Sequence, residues 1–452
     1  MSFPRYPKYK ESGVEWLGAV PASWVLVPLK FVALLKGRLG WQGLRADEYT
    51  EDGPFLVTSE HFENDKVVWQ RCHHVSEDRF AIAPDIQLRP DDLLMMKDGA
   101  AMGKLAYVDS LPGPACLNSH LLLFRPKDSR FINRFLYYVL SGPAFNIYMQ
   151  RERKGSTFFG ISQESIGAFP LLLPPVQEQA KIVAFLNHET AKIDALVAEQ
   201  QRLIELLKEK RQAVISHAVT KGLNPDVPMK NSGVEWLGEV PTHWQVMPIR
   251  YAARLESGHT PSRNHPEYWE DCSVPWFTLA DVWQIRQARR DVIFETKEKV
   301  SEMGLANSAA RLLPKGTVML SRTASVGFSA IMGVEMATTQ DFANWVCGDR
   351  LRPEFLLHVL RSMQGEFSRL MMGSTHNTIY MPDIQALRFA LPPVEEQERI
   401  HAFLRNETTR FDCLTDEARR AIDLLQERRT ALISAAVTGQ IDVRNITDRA
   451  AA

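Results

Sequence analysis

The sequence predicts an α+β protein: two mixed α/β domains in tandem, each followed by a long helix, the two helices pairing as an antiparallel coiled coil. Three observations predict it. A frame is written twice along the chain, each copy ends in a long stretch of heptad-patterned helix formers, and short strand-and-turn patterns fill the space between.

The repeat organises the 452 residues. Ser12-Gly13-Val14-Glu15-Trp16-Leu17-Gly18 recurs unchanged from Ser232 to Gly238, and each copy continues through Val-Pro to a tryptophan, Trp24 and Trp244. Leu173-Pro174-Pro175-Val176, followed by Glu178-Gln179, returns as Leu391-Pro392-Pro393-Val394 followed by Glu396-Gln397. The match runs on through Ala184-Phe185-Leu186 and Ala402-Phe403-Leu404 to Ala218-Val219-Thr220 and Ala436-Val437-Thr438. Between these ends the copies barely agree, with a weak echo at Gly103 and Gly327. Two copies fall short of the roughly three repeats that a solenoid needs. Two different modules on one duplicated frame fit better, and suit a target with two unlike parts. The boundaries read as a first domain at 1–173, a helix at 174–222, a second domain at 223–391, a helix at 392–440 and a tail at 441–452.

Each proline pair marks a helix start, because proline can open a helix but cannot continue one backward. About 45 residues with almost no Gly or Pro follow, rich in strong helix formers, enough for roughly 65 Å of helix. Leu186, Ile193, Leu207 and Val214 form one heptad column with Leu196 and Leu203 beside it. In the second copy Leu404, Phe411, Ala418, Leu425 and Leu432 form the column, with Leu414 and Ala421 beside it. A stripe this long needs a partner, so the two helices are expected to pair, the alternative being that each packs on its own domain. Gly222 and Gly439 stand just past the ends, where helices stop.

Inside the modules, Leu93–Met96 and Leu105–Val108 flank a turn at Asp98-Gly99 and Gly103, and Val318–Leu320 and Ser329–Ile331 flank one at Ser325–Gly327. Phe135-Leu136 with Val139-Leu140, and Phe355-Leu356 with Val359-Leu360, have helical spacing. Polar and basic residues gather in the loops. In the first module these are Arg38, Gln42, Arg45, Lys97, Lys104, Arg151, Arg153, Lys154, Ser156 and Thr157. In the second they are Arg263, Asn264, Arg322, Thr323, Ser325, Gln340, Asn344, Ser374, Thr375, His376 and Asn377. Arg, Gln and Asn pair bidentately with guanine and adenine edges, whereas Ser, Thr and Lys serve phosphates. Against that stands the plain reading that any single loop arginine is merely solvated.

Composition, 45% hydrophobic and 24% charged, is that of a soluble globular protein. No apolar run approaches a membrane span and the start carries no apolar signal stretch, so a cytoplasmic location is expected. Five scattered cysteines, none in a C-x-x-C spacing, suggest neither a disulfide framework nor a zinc finger. Cys72-His73-His74 lacks a second ligand cluster, and no metal is expected. Gly99–Lys104 faintly suggests a phosphate loop but is one residue short between its glycines and has Leu105 where Ser or Thr belongs. A net charge of −1 argues against a chain that grips DNA alone, unless its basic groups share one face or partners supply the grip.

The duplicated frame resembles the specificity subunits of type I restriction-modification systems over almost the whole chain. The Pro-Pro-Val-x-Glu-Gln entries at 174–179 and 392–397, the Gly-Val-Glu-Trp-Leu-Gly openings, Gly258-His259-Thr260-Pro261 and the Gly-Ser-Thr loops at 155 and 373 carry the likeness. The resemblance implies two target-recognition domains, each reading half of a bipartite DNA site, with the helix pair as the ruler between them. It implies double-stranded DNA, two modification subunits and restriction subunits as partners. S-adenosylmethionine, ATP and magnesium would be held by those partners, none by this chain. The chain itself shows no Asn-Pro-Pro-aromatic methyltransferase motif and no P-loop, which speaks against a fused methyltransferase. A stand-alone DNA-binding regulator or scaffold remains the main alternative.

Overall fold

The computed structural model describes residues 3–38, 44–153, 160–286, 289–371 and 377–446. The chain divides into two compact units, 1–200 with 420–452 and 201–419, so that each unit holds one module and part of both long helices.

In the first unit β1 (Ala33–Gly37), β2 (Leu93–Met96), β3 (Leu105–Tyr107) and β4 (Leu121–Pro126) lie in the order β1-β4-β2-β3, all antiparallel, and the sheet ends on Lys66–Val67 and Phe62–Glu63. The helices α1 (Asn133–Ser141) and α2 (Pro143–Glu152) follow, then the long α3 (Val176–Lys221). In the second unit β5 (Ala253–Ser257), β6 (Val318–Ser321), β7 (Ser329–Met332) and β8 (Phe342–Cys347) take the same order, β5-β8-β6-β7, ending on a parallel Val292–Ile293. There α4 (Pro353–Ser362), α5 (Gln364–Leu370) and the long α6 (Val394–Val437) complete the set. Two modules whose sequences barely match therefore share one topology.

The central strands β2 and β6 are almost continuous apolar runs because both sheet faces are covered there. Leu93 and Met95 face one core with Leu122 and Phe124, while Leu94 faces another with Leu121 and Leu123. Val318 and Leu320 likewise separate from Met319.

The duplicated frame is structural. Each Ser-Gly-Val-Glu-Trp-Leu-Gly is the turn of a hairpin, Tyr9–Glu11 with Ala19–Pro21 and Met229–Asn231 with Glu239–Pro241, closed by Ser12 N–H on Gly18 O and Ser232 N–H on Gly238 O. Each helix stop is a left-handed glycine, φ +74° at Gly222 and +71° at Gly439. A side chain at Gly439 would strike Pro21 and Trp24; one at Gly222 would press on Trp244 and Glu396. The glutamines of the Pro-Pro-Val-x-Glu-Gln entries are fully buried. Gln179 accepts from Ile132 N–H and donates to the carbonyls of Arg130 and Pro174; Gln397 does the same with Arg352, Arg350 and Pro392. Each thus ties the start of a long helix to the loop leading into the module's helical hairpin.

The long helices run 46 and 44 residues and lie antiparallel within each unit. In the first, Arg429 pairs with Asp194; in the second, Arg211 pairs with Asp412, the corresponding positions of the repeat. In the first expected column Leu186, Ile193, Leu207, Leu404, Phe411, Ala418 and Leu432 are buried, with Val214 and Leu425 half-buried. The second column is displaced by one residue. Leu196, Leu203 and Leu414 are 50%, 42% and 39% exposed, and Ala421 is only half-buried. The inner positions belong instead to Thr190, Ile204, Arg211 and Thr415, which lie four residues after the first column. Thr190 and Thr415 are tolerated because each hydroxyl donates to the carbonyl four residues back.

The segment 441–446 is built into the first unit: Val443 is fully buried, Asp442 N–H donates to Pro4 O, and Arg444 lies over the Tyr6 ring. Among the described residues no helix is long and apolar enough to cross a membrane.

Candidate nucleic-acid interface

Strand register decides which loops meet. In the first module Gly37 faces Leu122 and Met96 faces Leu121, so the exits of β1 and β2 and the entry to β4 share one sheet end. The β2–β3 turn folds back through Gly103 N–H and Met96 O, with Gly103 at φ +89° and its α-carbon against Met149 of α2. The positive φ is what favours glycine at Gly103; a Cβ there would also lie 2.6 Å from the flexible end of Met149. Lys97 donates its N–H to His120 O and accepts at its carbonyl from Ile161 N–H. His120 Nδ1 lies 2.7 Å from Asp98 Oδ1.

The second module repeats this arrangement. Ser257 faces Ala343 and Ser321 faces Phe342. Gly327, at φ +90°, lies against Phe367 and Gln364 of α5. Arg322 donates its N–H to Asp341 O and accepts from Ile379 N–H, so Lys97 and Arg322 are structural counterparts. Gly258 is forced by space, since a Cβ would come within 2.2 Å of Thr338 and Thr339.

The side chains divide by what they touch. Arg322 spends its guanidinium on the carbonyls of Gln340 and Ile379, and Gln340 accepts from the Thr260 hydroxyl, so these residues set the shape of the loop end. Thr323 bridges Thr378, the Asn377 carbonyl accepts from Ala324 N–H, and Ser325 Oγ accepts from Arg286. Arg263 stacks on Trp269 and pairs with Glu298, beside an exposed Asn264. In the first module Arg151 and Arg153 are exposed at the end of α2, Arg45 is exposed at a short turn capped by Glu48, and Lys104 Nζ donates to Phe62 O.

Two expected contacts are placed otherwise. Arg38 is 4% exposed; its Nε donates to Leu117 O, and burial lowers its pKa. Asn344 is fully buried in β8, donating to the Thr338 hydroxyl. Both serve the fold, because each follows a strand inward where the sequence pattern suggested a loop. Gln42, Lys154, Ser156, Thr157, Ser374, Thr375 and His376 lie outside the described residues.

Sequence reasoning missed His120, and also Arg286, which lies over Phe328 and reaches Ser325. The dense run Arg286, Arg289, Arg290 was the available signal. Chemically the described residues of the site offer hydrogen-bond donors. The thiols of Cys72 and Cys347 are pushed up to about 12 by burial, and His73 and His74 pack on Tyr49 and Phe55. Among the described residues no cluster of His, Cys, Asp or Glu could hold a metal ion.

Comparison with known proteins agrees with this architecture. The sequence matches the type I restriction modification DNA specificity domain twice, at 48–206 and 241–418. It is 20% identical to the type I restriction enzyme MjaVIII specificity subunit of Methanocaldococcus jannaschii, over 97% of this chain and 98% of that one. It is 22% identical to the EcoR124I/EcoR124II specificity subunit of Escherichia coli, over 67% of this chain and 69% of that one. A chain from a structure of type I R-M complex assembly and conformational transition superposes with TM-score 0.70 at 17% identity, covering 92% of this chain and 98% of that one, and shares its fold. With two copies of the family's domain spanning most of its length, this chain belongs to the type I restriction modification DNA specificity family.

Proposed function

We propose that this chain reads a bipartite, asymmetric DNA site, one half per module, and docks modification and restriction subunits that carry the chemistry. As a family member it is a non-catalytic DNA-recognition subunit. The observation that carries the finer reading is the pair of modules with the same core sheet order presenting differently furnished loop ends: Lys97 and His120 in one, Arg286 beside the loop shaped by Arg322 and Gln340 in the other. A shared sheet order presents two reading surfaces in the same way, and unequal side chains make the two half-sites differ. Helices of this length exceed the roughly 34 Å that separates half-sites one DNA turn apart, which suits them to a ruler. S-adenosylmethionine, ATP and magnesium belong to the partners in this scheme, and partner-supplied phosphate contacts account for the near-neutral charge of this chain.

The test is co-expression with the modification subunit of the same operon, with methylated adenines mapped by long-read sequencing. One bipartite motif with a fixed gap, lost when this chain is omitted, is the expected result. Methylation by this chain alone, or a single undivided motif, overturns the reading.

A further inference from the structure

We infer that the second unit contains an oxyanion site for a phosphoryl group at the joint between its module and the long helices. A cavity of about 330 Å³ opens there beside the Gly327–Ser329 turn. Its described lining includes Lys208, Arg211, Arg289, Arg361 and Arg419, against the carboxylates of Asp291 and Asp412. Asp416 joins from just outside, 3.4 Å from both Arg289 and Arg419. Glu205 pairs with Lys208 at 2.8 Å, so five cations meet four carboxylates and the cations keep an excess of one.

The pairing within the cavity is incomplete. Asp412 is shared between Arg211, at 3.7 Å, and Arg289, at 3.5 Å, while Arg361 holds Asp291 at 2.7 Å. Arg211 Nε, the atom 3.7 Å from Asp412, is buried with no acceptor within hydrogen-bond distance, and the hydroxyl of Ser329, a residue 1% exposed, has no hydrogen-bond partner. Buried donors normally find acceptors, and an oxyanion bound here supplies them.

The first unit shows what a closed version looks like. Arg429 occupies the position that Arg211 has in the other copy, yet it faces two carboxylates, Asp194 and Asp65, and the Tyr137 hydroxyl. One guanidinium between two acids needs nothing further. In the second unit the frame keeps the arginine, and the module adds Arg289 and Arg361 without enough acid to match. Forked guanidinium groups converging on a pocket match the oxygens of an oxyanion, and several cations around one cavity favour, over a singly charged carboxylate, a multiply charged phosphoryl group. Its source is either a free phosphate-bearing small molecule or a phosphate of the DNA backbone passing the neighbouring loop.

The experiment uses the full chain and the Arg289→Gln/Arg419→Gln double variant, both partly exposed positions, with Arg254→Gln as a control outside the cavity. Inorganic phosphate is titrated against chloride at constant ionic strength and the melting temperature followed. Binding of a duplex lacking the methylated motif is measured across salt concentrations. A phosphate-specific rise in Tm in wild type and control, weakened roughly tenfold or more in the double variant, identifies a free anion. No phosphate effect, but a salt slope shallower by about one in the double variant, identifies a backbone phosphate. Equal responses and slopes in all three proteins overturn the inference. The duplex arm rests on the DNA-recognition reading and the phosphate arm does not. The methylated motif directed by the complex stays the same in the variant; a changed motif would place these arginines in base reading and overturn the site as drawn.

Discussion

Replacing Gln397 by leucine tests whether the duplicated frame is held by its buried glutamines. Leucine keeps most of the volume but takes the side-chain partner from three backbone groups, Arg352 N–H and the Arg350 carbonyl, which are part-buried, and the buried Pro392 carbonyl. A fully buried group left unpaired costs about 1–3 kcal/mol, which for three groups would be roughly 3–9 kcal/mol; because two of these bonds are only part-buried, the expected sum is roughly 2–6 kcal/mol. That is a large part of a typical domain's stability of about 5–15 kcal/mol. Urea denaturation measures the loss, and amide exchange locates it, with Arg352 and the start of α6 exposed first. Gln179→Leu should reproduce the effect in the first unit and leave exchange at Arg352 unchanged. A loss below about 1 kcal/mol, with Arg352 still protected, would refute the clamp.

The helix seam makes a paired prediction: Leu186→Ala should cost about 2–5 kcal/mol and Leu196→Ala, half exposed, within about 0.5, so equal effects in thermal melts would reject the observed register. His358, buried against His401 with its pKa lowered to about 3, chiefly by burial and then by Arg361 and His401, sets a pH dependence. The unfolded chain binds a proton at its ordinary 6.5 and the native state refuses it, so stability falls as pH drops from about 6.5 towards 3, by at most about 1.4 kcal/mol per pH unit. His358→Gln should flatten that slope in denaturant titrations from pH 7 to 4; an unaltered slope would assign it to other groups. Adding one heptad to both long helices should change the gap in the methylated motif and keep both halves, whereas an altered half with the old gap would remove the helices as the ruler.

The recurring frame and the candidate site were legible in the sequence to different depths. Identical motifs announced the helix entries and helix stops because each depends on local chemistry, proline at a helix start and glycine just past a helix end, whereas the hairpins and the glutamine clamps emerged only from the structure. The first heptad column was legible because it is apolar. The second was misplaced because Thr190, Arg211 and Thr415 hold inner positions that apolarity does not mark, while exposed Leu196 and Leu203 imitate them.

What the sequence by itself determined was the duplication, the two long helices and the membership in a DNA-recognition family, since these rest on local pattern and repetition. Only the tertiary structure decided that two dissimilar modules share one sheet order, and that Lys97 and Arg322 stand in equivalent places. It alone turned Arg38 and Asn344 inward and gathered Arg211, Arg289, Arg361 and Arg419 around one cavity. Those outcomes depend on strand register and on residues far apart in the chain, where a shift of one position reverses which side chains face the core and which face a ligand.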